Sequence, residues 1–475
     1  KKPEMKDTVH ILLSLLILFA LSSCEQDEPT SVNKNSLPEI VDLSADPPQI
    51  GKGQTTTLSV QATDINKDEL QYEWSSDEGV YLQGTDRKFA VWQAPQTLGR
   101  YECKVAVSDG KETTIGSIKV DVIDVPTLHV STNELDFSYN QTSAVFTIRN
   151  DGLIDLDWQI TSGKDWISVN PPSGNLNFKA TSEVIVTVDR NNFDAGDYTG
   201  LIAVRSNGGA EDIAAYLEVA IVSEMVHIPA GEFIMGSDIG NEDELPAHTV
   251  VLDEYWIDKY EVTNAQYADF LNDAKAKGEI TSGLTYVKKN GKFLMYQIPI
   301  QRDGHNVGCP ISYINQKYIV DRHEANTPAR FVTWYGALAY AQFYDKRLPT
   351  EAEWEKAARG TNAYAYPWGD SEPTQWDCNY NENLGYLAIV GNYSPLGESP
   401  YGCADMAGSV WEWCNSLYKM YPYNKDDGRE DLSQEGYRVL RGGSWDGPVM
   451  TIRSALRSYN ETEFQHPSFG FRCAK

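Results

Sequence analysis

Two short stretches near the C-terminal end hold the residues whose types and spacing best suit chemistry. In DMAGSVWEW (405–413), Asp405 and Glu412 stand seven positions apart across a glycine. A glycine turn can bring two such carboxylates onto one hard cation. The backbone carbonyls of Gly408 and Val410 would complete an oxygen shell suited to calcium. Taken alone, the same residues also read as a helix start carrying surface acids. The second stretch is RGGSWDGPVMTIRSALRS (441–458). Its glycines fit backbone packed where side chains do not go, or held at positive φ. Arg453 and Arg457 suit anchors of a buried polar network. The stretch is composed like the floor of a pocket, yet it has no cysteine, histidine or glutamate, and its only carboxylate is Asp446.

Elements must position these residues, and their signals begin at about residue 224. Thr263-Asn264-Ala265-Gln266 has capping-box form ahead of AQYADFLNDAKAKG, which closes at Gly278. Thr350-Glu351-Ala352-Glu353 repeats the form after Pro349, and its helix stops at Gly360. Between them TWYGALAYAQFYDKR predicts a third helix. GEFIMGS (231–237) predicts a strand and turn. The remainder is rich in loops, which require internal fastening by ions, buried arginines and aromatic packing.

Upstream the pattern is β. Residues 38–125 alternate apolar and polar positions between turns (TTTLSVQATD, KFAVWQAP, GRYECKVAVSD), which predicts a sandwich with Trp74 and Cys103 in its core. Asp64 to Asp68 (DINKD) imitates the start of an EF-hand loop but lacks the later Gly and Glu, so it predicts an inter-strand turn. Residues 126–223 predict a second sandwich. Its Trp158 and Trp166 read as core, with a sugar platform as the alternative. The expected fold class is therefore multidomain: two all-β sandwiches followed by an α+β, loop-rich domain over 224–475.

Composition narrows the function. A formal net charge of −28 repels phosphate backbones and argues against nucleic acid as a partner. At the N-terminus, Lys6 precedes the apolar run ILLSLLILFAL, about half of the ~20 residues that span a bilayer, so 1–23 reads as a signal peptide. The LSSC ending at Cys24 resembles a bacterial lipobox, which makes Cys24 the expected acylated residue, with 24–37 as a polar tether. The acidic EQDE that follows resembles the export tags of surface lipoproteins in Bacteroidetes. Six further cysteines form no CxxC pair, and structural bridges or buried thiols are expected of them.

The third segment resembles the formylglycine-generating enzyme family, also called sulfatase-modifying factor. The motifs are VHIPAGEFIMGS (226–237), YWIDKYEVTNAQYADF (255–270), RLPTEAEWEKAARG (347–360), YPWGD (366–370), DMAGSVWEW (405–413), RVLRGGSW (438–445) and GFRCA (470–474). Each also has a plain structural reading as capped helix, strand-turn or packed tryptophan. The resemblance implies a fold similar to C-type lectin-like domains. It implies calcium at Asp405, Gly408, Val410 and Glu412. It also implies a second calcium at Asn379 and the Tyr380 carbonyl, where only Glu382 replaces an expected later acid. Residues 126–223 resemble the BACON domains of gut Bacteroidetes surface proteins, and 38–125 an Ig-like or PKD-like domain.

Family enzymes oxidise a substrate cysteine with O₂ and hold Cu(I) between two cysteines just after the GGS. Soft Cu(I) requires thiolates. Those positions fall at Gly447 and near Ile452, so copper is not expected; Met450 offers only a neutral thioether. Ser444, Trp411, Arg453 and Arg457 remain as pocket candidates. The family's disulfide partner for Cys473 falls at Ala358, which leaves Cys473 to pair with Cys414 or Cys378 or to stay free. The expectation is a lipoprotein anchored in the outer membrane, periplasmic or surface-exposed, whose last domain binds a protein or glycan without catalysis. The alternatives are an oxidoreductase or other enzyme with an altered site, and a structural lipoprotein of a gliding- or secretion-type complex. An iron sulfoxide synthase is disfavoured because the seven histidines are scattered.

Overall fold

The computed structural model describes residues 34–283, 285–297, 300–302 and 305–475. The expected signal peptide and Cys24 lie outside the described residues. The chain divides into two compact units, Lys1–Val125 and Pro126–Lys475. The chain is mostly β, and among the described residues no helix is long and apolar enough to cross a membrane.

The first unit holds two four-stranded sheets. Period-2 alternation turns Leu58 and Val60 from one sheet, and Cys103, Val105 and Val107 from the other, into one shared core. Trp74 and Trp92 are buried in it, and each indole N–H finds an oxygen acceptor: Arg87 O at 2.9 Å, and Ser76 Oγ and Glu78 O at 3.1 Å. DINKD is a turn, as expected: Lys67 N–H donates to Asp64 O, and Asp68 N–H to Asp64 Oδ1.

The second unit opens with a five-stranded and a four-stranded sheet over residues 128–219. Trp158 and Trp166 are buried in the core between Phe146, Ile202 and Ile213, so neither forms a sugar platform.

Three helices follow. Helix α1 (Asn264–Ala276) is capped by Thr263, whose side chain accepts from Gln266 N–H while Gln266 reaches back to Thr263. Helix α2 (Trp334–Phe343) is capped by Thr333 through Gly336 N–H. Helix α3 (Glu351–Arg359) carries the second capping box and ends at Gly360, φ +65°. Helices α1 and α2 meet through an aromatic cluster of Tyr267, Phe270, Tyr340 and Phe471. Every residue of α3 is buried, its charged ones included, which demands partners for each charge. Arg441 pairs with Glu355, Arg457 with Glu351 and Arg347 with Glu353, and Lys356 donates to Pro229 O and Gly231 O. Arg441 closes a strand of a four-stranded sheet ordered Ser458–Glu461, Tyr437–Arg441, Trp411–Leu417, Phe469–Gly470. From Gly360 to Val410 the chain has neither helix nor strand, and this long loop packs against the sheet end where both candidate stretches lie.

Candidate functional site

The two stretches form one structure. Gly408 N–H donates to Gly442 O at 2.8 Å, and Trp445 N–H to Ser409 O at 2.7 Å. Gly408 sits at φ +78°, and a Cβ there would lie 2.1 Å from Asn379 O. Gly443, at φ +77°, would place a Cβ 2.7 Å from Thr451 O. Both positions therefore need glycine for conformation and for space.

The acids converge only in part as expected. Glu412 is fully buried and commits both oxygens elsewhere: Arg472 donates to them at 2.7 Å each, and the Trp354 indole adds a third bond at 2.9 Å. Asp405 accepts from Gly391 N–H at 2.5 Å. Its nearest relation in charge is Glu261, which the sequence reading passed over. Glu261 is 1% exposed, and neither carboxylate oxygen has a hydrogen-bond partner. Arg472 lies 4.0 Å away. Burial and then the neighbouring Asp405 push the Glu261 carboxyl well above the carboxylate range. Burial pushes Asp405 up to about 6, partly offset by the Gly391 N–H. Three carboxylates thus face one guanidinium. With all of them ionised, two negative charges are left without a counter-charge in a dry site, the demand that one divalent cation or two protons would meet. No three Asp, Glu, His or Cys side chains stand at metal-ligating distances among the described residues, so carbonyls such as those of Gly408 and Val410 would have to supply the remaining donors.

The second expected calcium set is less complete. Asn379 Oδ1 is buried without a partner, while its Nδ2 donates to Tyr386 O at 3.0 Å. The Tyr380 carbonyl already accepts from Asn383 N–H at 3.0 Å.

At the pocket floor, Ser444 is buried and Trp411 partly buried. A Cβ on Gly447 would lie 2.6 Å from Thr451 Oγ1 and 3.3 Å from Ser444 Oγ. Ile452 is fully buried in an apolar cluster with Tyr366, Cys378 and Ala407. Neither position to which the resemblance assigns a copper thiolate carries a cysteine. All six described cysteines are buried and free, so Cys473 pairs with neither Cys414 nor Cys378. Burial pushes the Cys403 thiol up to about 11 and the Cys473 thiol well up, away from thiolate chemistry.

Arg453 and Arg457 each reach a glutamate. Arg453 pairs with Glu244 at 2.9 and 2.5 Å. Arg457 forks onto Glu351 at 2.6 and 2.9 Å and also donates to Asp243 O and Lys419 O. Arg441 bonds Glu355, which also takes Arg359 at 3.0 Å. Burial alone pushes the Glu351 carboxyl up, but Arg457 and Arg441 reverse this and hold it below the usual range. The four arginines outnumber the three glutamates, and carbonyls of Ser454 and Leu456 accept the surplus donors of Arg441. This network ties α3 to Arg441 and Arg457.

Beside the floor a cleft of about 710 Å³ opens, walled by Trp445 and Tyr386 on one side and by Asp197 of the preceding β module on another. That module is bonded to the last domain along one joint. Arg322 reaches Asp136 at 2.7 Å, His323 reaches Asp197 at 2.6 Å, Tyr139 donates to Asp269 at 2.9 Å, and Ala325 N–H donates to Glu218 at 2.9 Å.

Residues 214–475 match the family described as the sulfatase-modifying factor enzyme 1-like domain, and residues 127–219 the viral BACON domain. The serine/threonine-protein kinase pkn1 of Chlamydia pneumoniae is 36% identical over 261 residues, 54% of this chain and 38% of the kinase, so this chain spans well under half of that relative's length. The formylglycine-generating enzyme of Streptomyces coelicolor is 35% identical over 52% of this chain and 88% of its own. The inactive C-alpha-formylglycine-generating enzyme 2 of Mus musculus is 31% identical over 53% and 85%. With that match over more than half of its length, the chain belongs to the sulfatase-modifying factor enzyme 1-like family, with a BACON-like module ahead of the family domain.

Proposed function

We propose that this chain is a cell-envelope lipoprotein whose family domain binds a ligand and has lost copper-dependent oxidation. One observation carries the reading: the positions for the two thiolates hold Gly447, pressed against Thr451, and the buried Ile452. Without two thiolates in near-linear geometry Cu(I) is not retained. The ligand is a protein or glycan, and the two β segments, each a two-sheet sandwich, carry the binding domain away from an acylated Cys24 in the outer membrane. Calcium is structural. Asp405 and Glu261 are its side-chain donors, aided by the carbonyls of Gly408 and Val410, and Glu412 acts beside them by holding Arg472.

Purified protein titrated with Cu(I) against a competing chelator tests the loss of oxidation. The expected result is no tight complex at one equivalent and no O₂-dependent oxidation of a Cys-X-Pro-X-Arg peptide. A stoichiometric Cu(I) complex that oxidises the peptide would overturn the reading.

A further inference from the structure

We propose that the open edge of the strand Gly196–Ser206, in the BACON-like module, takes an extended basic polypeptide segment as an added strand, with an arginine side chain in the cavity beside it. This surface lies on the β module and is independent of the lost copper chemistry of the family domain.

The edge is open over half of the strand. Gly196–Ser206 pairs with Gly209–Val219 along its whole length, but with Leu156–Ser162 only from Ile202 to Ser206. One more bond, from Gly163 N–H to Leu201 O at 3.2 Å, closes that side. Residues 196–200 therefore have a partner strand on one side only. The register fixes where their main-chain groups point. Thr199 stands opposite Tyr216 and Asp197 opposite Glu218. Tyr216 O accepts from Phe137 N–H at 2.9 Å, and Glu218 N–H donates to Ser138 O at 3.3 Å, so both residues turn their main-chain groups away from Gly196–Ser206. Facing residues of an antiparallel pair exchange both bonds or neither. Thr199 and Asp197 thus turn their N–H and C=O groups to the open edge, and both residues are exposed. Such a row is a template for main-chain pairing.

Charge and shape select the partner. Beside the edge lies a cavity of about 490 Å³ lined by Asp165, Asp189, Phe193, Tyr198 and Thr199, with Lys164 as its one base. Asp165, Asp189 and the adjacent Asp194 are exposed and make no ion pair among the described residues. An arginine on the added strand meets two carboxylates there, while Phe193 and Tyr198 cover its alkyl stem. A sugar is disfavoured because no aromatic face stands clear. Trp166 is 6% exposed, and Phe193 and Tyr198 pack edge to face at 4.7 Å and against the core. A second copy on the same edge is disfavoured too, since it would set the same carboxylates against each other.

The test titrates the full chain, by fluorescence anisotropy, with a nine-residue peptide of alternating Thr and Val that carries Arg at its centre. The Arg peptide is expected to bind with a Kd below about 1 mM. A Glu-centred peptide, and an Arg peptide N-methylated at every second amide, should each bind about tenfold more weakly or worse. Thr199→Pro removes the outward N–H without touching the existing ladder and should weaken binding about tenfold. Asp165→Asn/Asp189→Asn should weaken it about threefold or more, with an unchanged melting temperature. If Thr199→Pro lowers the melting temperature, the N-methylated peptide reads the same main-chain pairing on the parent. The proposal is overturned if the Arg peptide does not bind below about 1 mM, if the N-methylated or Glu-centred peptide binds as tightly, or if the double variant binds like the parent. Displacement of the Arg peptide by cellotetraose, or a parent dimer in sedimentation that the peptide does not dissociate, would also overturn it. The reading of the family domain fails separately, by copper-dependent oxidation of the Cys-X-Pro-X-Arg peptide.

Discussion

Glu261 carries the sharpest consequence at the scale of single residues. A carboxyl with two unpartnered oxygens, 1% exposed, either keeps a proton or holds a cation. Calcium binding must then displace protons from Glu261 and Asp405, so calcium should raise the melting temperature more at pH 7.5 than at pH 5.5. Scanning calorimetry with calcium or EGTA at both pH values checks this, and an EGTA effect that is absent or equal at both would remove the site. Glu261→Gln should abolish most of the calcium response. Glu261 was not legible in the sequence because its meaning depends on Asp405, 144 positions later. Asp405 was legible, since it stands in a local motif. Gly447 gives a second prediction. Gly447→Ala forces a methyl against Thr451 Oγ1 and should cost about 1–3 kcal/mol in urea unfolding, with Gly447→Ala/Thr451→Ala, which removes that oxygen, recovering part of it. Equal stability of Gly447→Ala and the parent would mean the floor yields freely.

At the scale of elements, what local sequence encodes was readable and what the fold brings together was not. The capping boxes of α1 and α3, and the glycine that ends α3, were written within a few residues, and the structure carries both. The arginines, read as anchors of a buried network, pair with Glu244 and Glu351. Arg457 lies 106 positions from Glu351, and nothing in SALRS says which glutamate it will meet. The cysteines show the same limit: burial as free thiols was one expectation, and pairing required proximity that spacing does not reveal. Because α3 is buried on every side, its fastening is unusually exposed to mutation. Arg457→Met leaves Glu351 with the Arg441 guanidinium and the Tyr421 hydroxyl in a dry interior and should cost about 3–5 kcal/mol, measured by chemical denaturation. A loss under about 1 kcal/mol would show that the interior admits water to the carboxylate.

At the scale of the second unit, the BACON-like module is a wall of the cleft as well as a link in the chain, and its joint to the family domain is titratable. Glu218 accepts Ala325 N–H across that joint at 2.9 Å. Burial pushes its carboxyl up to about 7; the Ala325 N–H opposes the shift, and Asp197 adds to it. Asp136 and His323 are the other charged or titratable groups nearby. A carboxyl whose pKa is raised by folding binds its proton more tightly in the folded state. Its contribution is therefore complete below about pH 4.5 and is lost as pH rises towards 7, when the buried carboxylate must form. Glu218→Gln keeps an acceptor for Ala325 N–H and removes the titration. The melting temperatures of parent and variant, measured from pH 5 to 8 with calcium saturating, should separate with rising pH, the parent falling below Glu218→Gln. Titration elsewhere is common to both proteins, so the difference between the curves isolates Glu218. Parallel curves across the range would mean that Glu218 is solvated at the joint and that the two modules do not exclude water there.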